Sequence, residues 1–106
     1  MKLLLCDDHA LFREGLKHLL NGLEEDWELL EAVDAAEAME ILGACPDLDL
    51  VLLDLNMPGV QGFEALRDLR SRFPGVPVVM LSATEDPEAM RGALEHGAVG
   101  WVPKSS

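Results

Sequence analysis

The sequence predicts an α/β domain built on a parallel, doubly wound sheet, and three observations indicate this class. Five short apolar runs alternate with four segments whose apolar residues recur at helical spacing. The third run contains Val51, Leu52 and Leu53 in succession and ends at Asp54, which is typical of a strand buried on both faces. The chain has 106 residues, of which 49% are hydrophobic, enough for one core. We therefore predict a single domain, residues 1–106, with right-handed crossovers between its strands.

The elements of the first half are predicted from apolar runs and from residues that begin and end helices. Asp8 or His9 begins the first helix, and Asn21 with Gly22 ends it. Asp34, with Glu37 three residues later, forms a capping box for the second helix. The predicted strands of the whole chain are residues 2–6, 27–33, 48–54, 76–81 and 99–102.

The second half contains two further helices with clear boundaries. Pro74 and Gly75 end the third helix, and Asp86 followed by Pro87 is a strong start signal for the fourth. The apolar face of the third helix is predicted at positions 63, 66, 69 and 73. The fourth helix is expected to direct Ala89, Met90, Ala93 and Leu94 inward and to end at His96 and Gly97.

Composition and charge exclude several classes of function. The formal net charge is −12, from 20 acids against 8 lysines and arginines. Such a surface repels phosphate backbones and anionic membranes, so we expect no nucleic-acid binding by this segment and no membrane association. A signal peptide and a membrane-spanning run are not recognisable, which predicts a cytoplasmic protein. Cys6 and Cys45 lack metal-ligand spacing and are expected to be buried or half-buried free thiols.

Polar side chains follow four of the predicted strands. Asp7 and Asp8 come after the first strand, Asp54 ends the third, Ser82 follows the fourth, and Lys104 follows the fifth. Each alone has an ordinary explanation: a helix cap, a turn residue or a solvated charge. In a parallel sheet, however, all these strand ends lie on one edge, where α/β proteins build their sites. We therefore expect the five side chains to converge.

The residue types in this group indicate phosphoryl chemistry assisted by a metal. Several carboxylates in one pocket repel one another unless a cation joins them. Oxygen ligands suit Mg²⁺, which typically takes one or two protein carboxylates and a phosphate. With the metal bound, one carboxylate can act as a nucleophile and form an aspartyl phosphate. The lysine supplies charge for the transferred oxygens, and the hydroxyl supplies a hydrogen bond.

These residues make the chain resemble the response-regulator receiver domains of two-component signalling along its whole length. The matching residues are Asp7-Asp8, the segment DLNMPGVQG around Asp54, Ser82-Ala83 and Lys104. The Asp-Asp-His opening and the GAVGWVPKSS ending are most similar to receivers that precede a helix-turn-helix output domain of the LuxR/NarL type. The resemblance implies a flavodoxin-like fold with strand order 2-1-3-4-5.

The resemblance also implies a function and a role for each site residue. The domain would accept a phosphoryl group from a sensor histidine kinase and switch conformation to control an output. The resemblance implies that this output is transcription. It would catalyse only its own phosphorylation and dephosphorylation and would not be an enzyme acting on other substrates. The implied roles are Asp54 as phosphoacceptor, Asp8, Asp54 and the backbone carbonyl of Asn56 as Mg²⁺ ligands, Asp7 assisting through water, Ser82 as the switching hydroxyl and Lys104 as the phosphate contact.

The chain differs from the usual pattern of the family in three places. Many receivers have proline directly after the lysine, whereas here Ser105 follows Lys104 and Pro103 precedes it. Trp101 stands where the family usually has a switching tyrosine or phenylalanine. The sequence ends after the fifth strand, so the final helix of the fold and any output domain are missing, and the domain is expected to be truncated there.

The missing helix leads to an expectation about the surface. One face of the sheet would keep an apolar trough open beside the first, third and fourth strands. We expect weak stability or self-association through that face, for example as a homodimer.

Two other functions are compatible with parts of the sequence. A phosphohydrolase with an aspartyl nucleophile would use similar acids, but such enzymes typically place an Asp-x-Asp motif at the first strand. A degenerate interaction domain would keep the fold without taking phosphate, but the acids, hydroxyl and lysine are all present. His9, His18 and His96 share no helical spacing that would form a metal site, so we expect all three to be ordinary surface or structural residues.

Overall fold

The computed structural model describes residues 1–22, 26–55, 63–82 and 86–104. Its strands are β1 (Lys2–Cys6), β2 (Glu28–Ala32), β3 (Leu50–Asp54), β4 (Val78–Ser82) and β5 (Gly100–Pro103). Its helices are α1 (Ala10–Asn21), α2 (Ala35–Ala44), α3 (Glu64–Arg72) and α4 (Pro87–Glu95). The five strands form one parallel sheet in the order β2-β1-β3-β4-β5, which confirms the predicted fold.

The helix boundaries follow the capping residues of the sequence. The Asp34 side chain accepts a hydrogen bond of 2.8 Å from the N–H of Glu37, and Asp86 accepts one of 3.0 Å from the N–H of Glu88. Gly97 has a φ of +102°, a backbone conformation that glycine adopts readily where α4 ends. Local chemistry thus fixes where α2 and α4 begin and where the chain turns toward β5.

The main core cluster lies on one face of the sheet. Cys6, Leu53, Met80 and Trp101 are successive register partners on β1, β3, β4 and β5, so their side chains share a face. This cluster includes buried residues of α2, α3 and α4, and within the described residues none from α1. Helix α1 lies over the opposite face, where Leu5 is fully buried. The helices on the two faces therefore contribute unequally to the buried core.

The structure corrects two expectations about burial. Of the predicted inward residues of α4, Ala93 is buried, but Met90 and Leu94 are 37% and 48% exposed. The open apolar surface does not lie beside β1, because Leu3 and Leu5 are buried. It is instead a groove of about 380 Å³ between α1 and β5, lined by Leu11, Phe12, Gly15, Leu16, Leu19, Val102, Pro103 and Lys104.

The two cysteines are free thiols, as expected. Cys6 is fully buried at the end of β1, and burial raises the pKa of its thiol to about 12. Cys45 is half-buried at the end of α2. Within the described ranges, the helices are too short or too polar to cross a membrane.

Candidate metal centre

Three of the predicted site residues meet at the carboxyl edge of the sheet. Asp7 follows β1 and Asp54 ends β3, and both carboxylates are almost completely buried. Lys104 follows β5, and its Nζ lies 2.8 Å from Asp7 Oδ2 and 3.0 Å from Asp54 Oδ2. The sheet thus brings together Asp7, Asp54 and Lys104, which are separated in the sequence by 47 and 50 positions. The two buried carboxylates share one ammonium.

Backbone and side-chain contacts hold Asp7 in place. Its N–H donates to the carbonyl of Ala32 at 3.0 Å, and its own carbonyl accepts from Arg13 Nη1 at 2.8 Å. The N–H of His9 donates to Asp7 Oδ1 at 2.8 Å. Burial alone would raise the pKa of Asp7, but the Lys104 ammonium and the hydrogen bonds from His9 outweigh it, so the pKa lies below its usual value. Asp7 is therefore an anion at neutral pH.

Lys104 is positioned by β4 and α1. The backbone N–H of Lys104 donates a hydrogen bond of 2.7 Å to the backbone carbonyl of Ser82, and this bond continues the pairing of β4 with β5. Its Nζ lies 5.0 Å from the centre of the Phe12 ring, a cation–π contact. Ser82, the last residue of β4, is fully buried. The fourth and fifth strand ends are thus tied together at the site.

Asp8 completes the group of carboxylates, and it is the most accessible of them. Its side chain is 36% exposed, and its Oδ1 lies 3.3 Å from His9 Nδ1. Asn56, whose carbonyl the resemblance assigns to the metal, lies outside the described residues. Of the predicted metal ligands, the structure therefore brings together Asp7, Asp8 and Asp54.

His9 belongs to this cluster, contrary to the expectation that it is an ordinary residue. Its Nδ1 lies 2.9 Å from Asp7 Oδ1, 3.6 Å from Asp54 Oδ2 and 2.9 Å from Lys104 Nζ. Helical spacing among the three histidines could not find it, because its partners lie on other elements. The available signal was its position directly after two acids at a strand end. His96 fits the expectation of a structural residue, since its Nδ1 lies 2.7 Å from the carbonyl oxygen of Gly92.

The cluster fits a divalent cation. Each of Asp7, Asp8, His9 and Asp54 offers one ligand atom, and these atoms lie within 4.8 Å of one another. The donors are mainly carboxylate oxygens, which suit Mg²⁺. Among the described residues, Lys104 pairs with Asp7 and Asp54, and Asp8 adds a third carboxylate to the same cluster, so a bound cation would balance the negative charge that remains.

The strand order and the acidic site at the carboxyl edge define a flavodoxin-like domain of the receiver class. Comparison with known proteins identifies the family. The family model of the response regulator receiver domain matches residues 3–106, and the chain belongs to this family. This confirms the family inferred from the sequence.

Individual relatives agree with this assignment. The chain is 43% identical over 105 residues to the glycerol metabolism activator of Pseudomonas putida, covering 99% of this chain and 48% of that protein. It is 42% identical over 108 residues to a protein-glutamate methylesterase/protein-glutamine glutaminase of Pyrococcus horikoshii, covering 100% of this chain and 29% of that protein. The chain thus spans less than half the length of either relative.

A solved structure shows the same likeness in three dimensions. The two-component response regulator of the LuxR family from Aurantimonas sp. SI85-9A1 superposes with a TM-score of 0.88 at 32% identity. The match covers 99% of this chain and 74% of that one. The chain is a receiver domain similar to those of LuxR-type regulators.

Proposed function

We propose that this receiver domain accepts a phosphoryl group on Asp54 from the phosphohistidine of a sensor histidine kinase. The observation that supports this most directly is the Asp54 carboxylate, 1% exposed at the end of β3 and 3.0 Å from Lys104 Nζ. An Asp54 oxygen forms a bond to phosphorus while the bond from phosphorus to the donor nitrogen breaks. Lys104 then offers its charge to the transferred oxygens.

The residues present can hold Mg²⁺ for this reaction. Asp8 and Asp54 are the proposed direct ligands, the carbonyl of Asn56 the third, and Asp7 assists through water. When bound, the cation offsets the charge that a phosphoryl group adds, roughly −1.5 to −2 at neutral pH. Lys104 meanwhile keeps its contact with Asp7 and so holds the edges of β1 and β5 together.

Ser82 is the proposed switching residue. It is buried at the end of β4, and the N–H of Lys104 is bonded to its carbonyl. A hydroxyl there can turn toward a phosphoryl group on Asp54, and Trp101, on the adjacent strand, would respond to that movement. The output would be that of a longer regulator. By likeness to the curated relatives, this output would be the control of transcription through a DNA-binding domain.

We further propose that the domain is a signalling module and not an enzyme acting on external substrates. The match with the methylesterase covers 29% of that enzyme, so it does not extend to most of it. The family model that matches is that of the receiver alone. We expect self-phosphorylation and self-dephosphorylation to be its only chemistry.

Intact-mass measurement after incubation with Mg²⁺ and a small phosphodonor tests the proposal. The unmodified chain should gain one phosphoryl group, and Asp54→Asn should gain none. Asp68→Asn, a change at an exposed acid of α3, should behave like the unmodified chain. A gain that survives Asp54→Asn, or that is equally large in EDTA, would show that the site is assigned wrongly.

A further inference from the structure

The imidazole of His9 is close to three different carboxylates at once. Its Nδ1 lies 2.9 Å from Asp7 Oδ1, 3.3 Å from Asp8 Oδ1 and 3.6 Å from Asp54 Oδ2. Neighbouring ligands of a cation bound at about 2.1 Å are separated by about 3 Å in octahedral geometry. The distances around Nδ1 are therefore those expected between ligands of one ion.

Hydrogen bonding alone does not account for this arrangement. A single ring nitrogen either donates one hydrogen bond or accepts one, yet Nδ1 is also 2.9 Å from Lys104 Nζ. Asp7 Oδ2 is buried and is already paired with Lys104 Nζ at 2.8 Å. Nδ1 thus has more close neighbours than hydrogen bonding can satisfy, and its lone pair can bind a cation held by the same carboxylates.

The nitrogen changes which cations the site favours. Mg²⁺ prefers oxygen ligands, whereas imidazole binds Zn²⁺, Co²⁺ and Ni²⁺ well. The His9 side chain is 59% exposed at the start of α1, so a cation can reach Nδ1 from solvent without opening the core. An added imidazole should therefore strengthen binding of these metals much more than binding of Mg²⁺.

We infer that His9 is a ligand of the divalent cation in this receiver and shifts the preference of the site from Mg²⁺ toward first-row metal ions that bind imidazole well. The inference rests on the proposed function, because it uses the same acidic cluster. His9 is here a residue that determines metal specificity, and it supplies Nδ1 beside the oxygens of Asp8 and Asp54.

Calorimetric titration of the 106-residue chain with Co²⁺ and, separately, with Mg²⁺ tests this. We expect His9→Gln to weaken Co²⁺ binding by about tenfold or more and to leave Mg²⁺ binding within about twofold. His18→Gln, at an exposed position of α1 away from the cluster, should change neither. His9→Ala repeats the comparison with no side-chain ligand at position 9, and circular dichroism checks that each variant is folded.

A second readout reports on His9 directly. Proton NMR with Co²⁺ should show strongly shifted imidazole resonances that disappear in His9→Gln and remain in His18→Gln. Equal weakening of both metals in the His9 variants would indicate a merely structural role, and unchanged Co²⁺ binding would mean that His9 is not a ligand. Either result overturns the inference.

The Asp54→Asn variant separates this inference from the proposed function. If Mg²⁺ binding requires Asp54 while Co²⁺ binding ignores His9, the inference fails and the phosphoryl site stands. If neither metal depends on Asp54, the acidic cluster is not the cation site and both fail.

Discussion

At the scale of single residues, the site depends on one ammonium that faces two buried carboxylates. The side chains of Asp7 and Asp54 are 0% and 1% exposed, and that of Lys104 is 11% exposed. Water screens this group weakly, so each charge depends on its partner. Removing one member of such a group leaves an uncompensated buried charge, which costs far more than the pair contributes when intact.

Lys104→Met should therefore destabilise the chain substantially at neutral pH and without metal. We expect the free energy of unfolding to fall by about 3–5 kcal/mol in urea denaturation, because two buried carboxylates lose their counter-charge. Added Mg²⁺ should restore part of the loss. Lys17→Met is the matched control, since Lys17 pairs with Glu14 and Glu31 at the surface with 40% of its side chain exposed.

The control change should cost no more than about 1 kcal/mol. If the two variants were equally stable, Lys104 would not compensate the buried acids. If Mg²⁺ stabilised the control as much as Lys104→Met, the metal would act somewhere other than beside Asp7 and Asp54.

At the scale of elements, Phe63 joins α3 to α4. It stands at the start of α3, and its ring stacks on His96 with centroids 5.0 Å apart and planes inclined by 21°. The same ring lies against Gly92 in α4, where an added Cβ would come within 2.6 Å of Phe63 Cε2. Glycine is needed at position 92 because the ring occupies the space of a side chain.

Substituting alanine at two helical glycines should give opposite results. Gly92→Ala gains helix propensity but clashes with a ring held by His96, so we expect a lower melting temperature. Gly15→Ala, near the middle of α1, meets nothing within 4 Å and should stabilise by up to about 1 kcal/mol. Thermal unfolding followed by circular dichroism measures both. A stabilised Gly92→Ala would show that the Phe63 ring moves away without cost.

At the scale of the whole molecule, the two faces of the sheet are covered unequally. Residues of α2, α3 and α4 pack into the main core cluster on one face, whereas α1 lies over the other. Leu11 and Leu19 of α1 are 89% and 62% exposed, and Val102 of β5 is 42% exposed across the groove from them. Contiguous apolar surface of this kind favours association.

We predict that the 106-residue chain self-associates through this groove at high concentration. Sedimentation velocity should show a concentration-dependent dimer, because pairing removes the leucines from water. Leu19→Lys should shift the chain toward monomer. Val99→Lys, at an equally exposed apolar residue outside the groove, should not. A chain that stays monomeric throughout, or one whose association depends on Val99 instead, would contradict the prediction.

The elements and most of the site could be predicted because their determinants are local. Asp34 and Asp86 cap helices through bonds to residues two or three positions away, and an apolar run that ends in Asp54 indicates a buried strand. Parallel strands then place their ends on one edge, so Asp7, Asp54 and Lys104 were expected to meet. Their roles in phosphoryl transfer stay predictions.

Tertiary structure alone decided the remaining features, because they depend on distances between separate elements. The position of His9 among three carboxylates follows from how the start of α1 sits over the ends of β1 and β3, which helical spacing does not encode. The exposure of Met90 and Leu94 and the place of the groove depend on how closely each helix packs on the sheet. The sequence by itself determined the fold and its reactive edge, through local propensity and strand direction. Packing decided which side chains share that edge and which apolar surface stays in water.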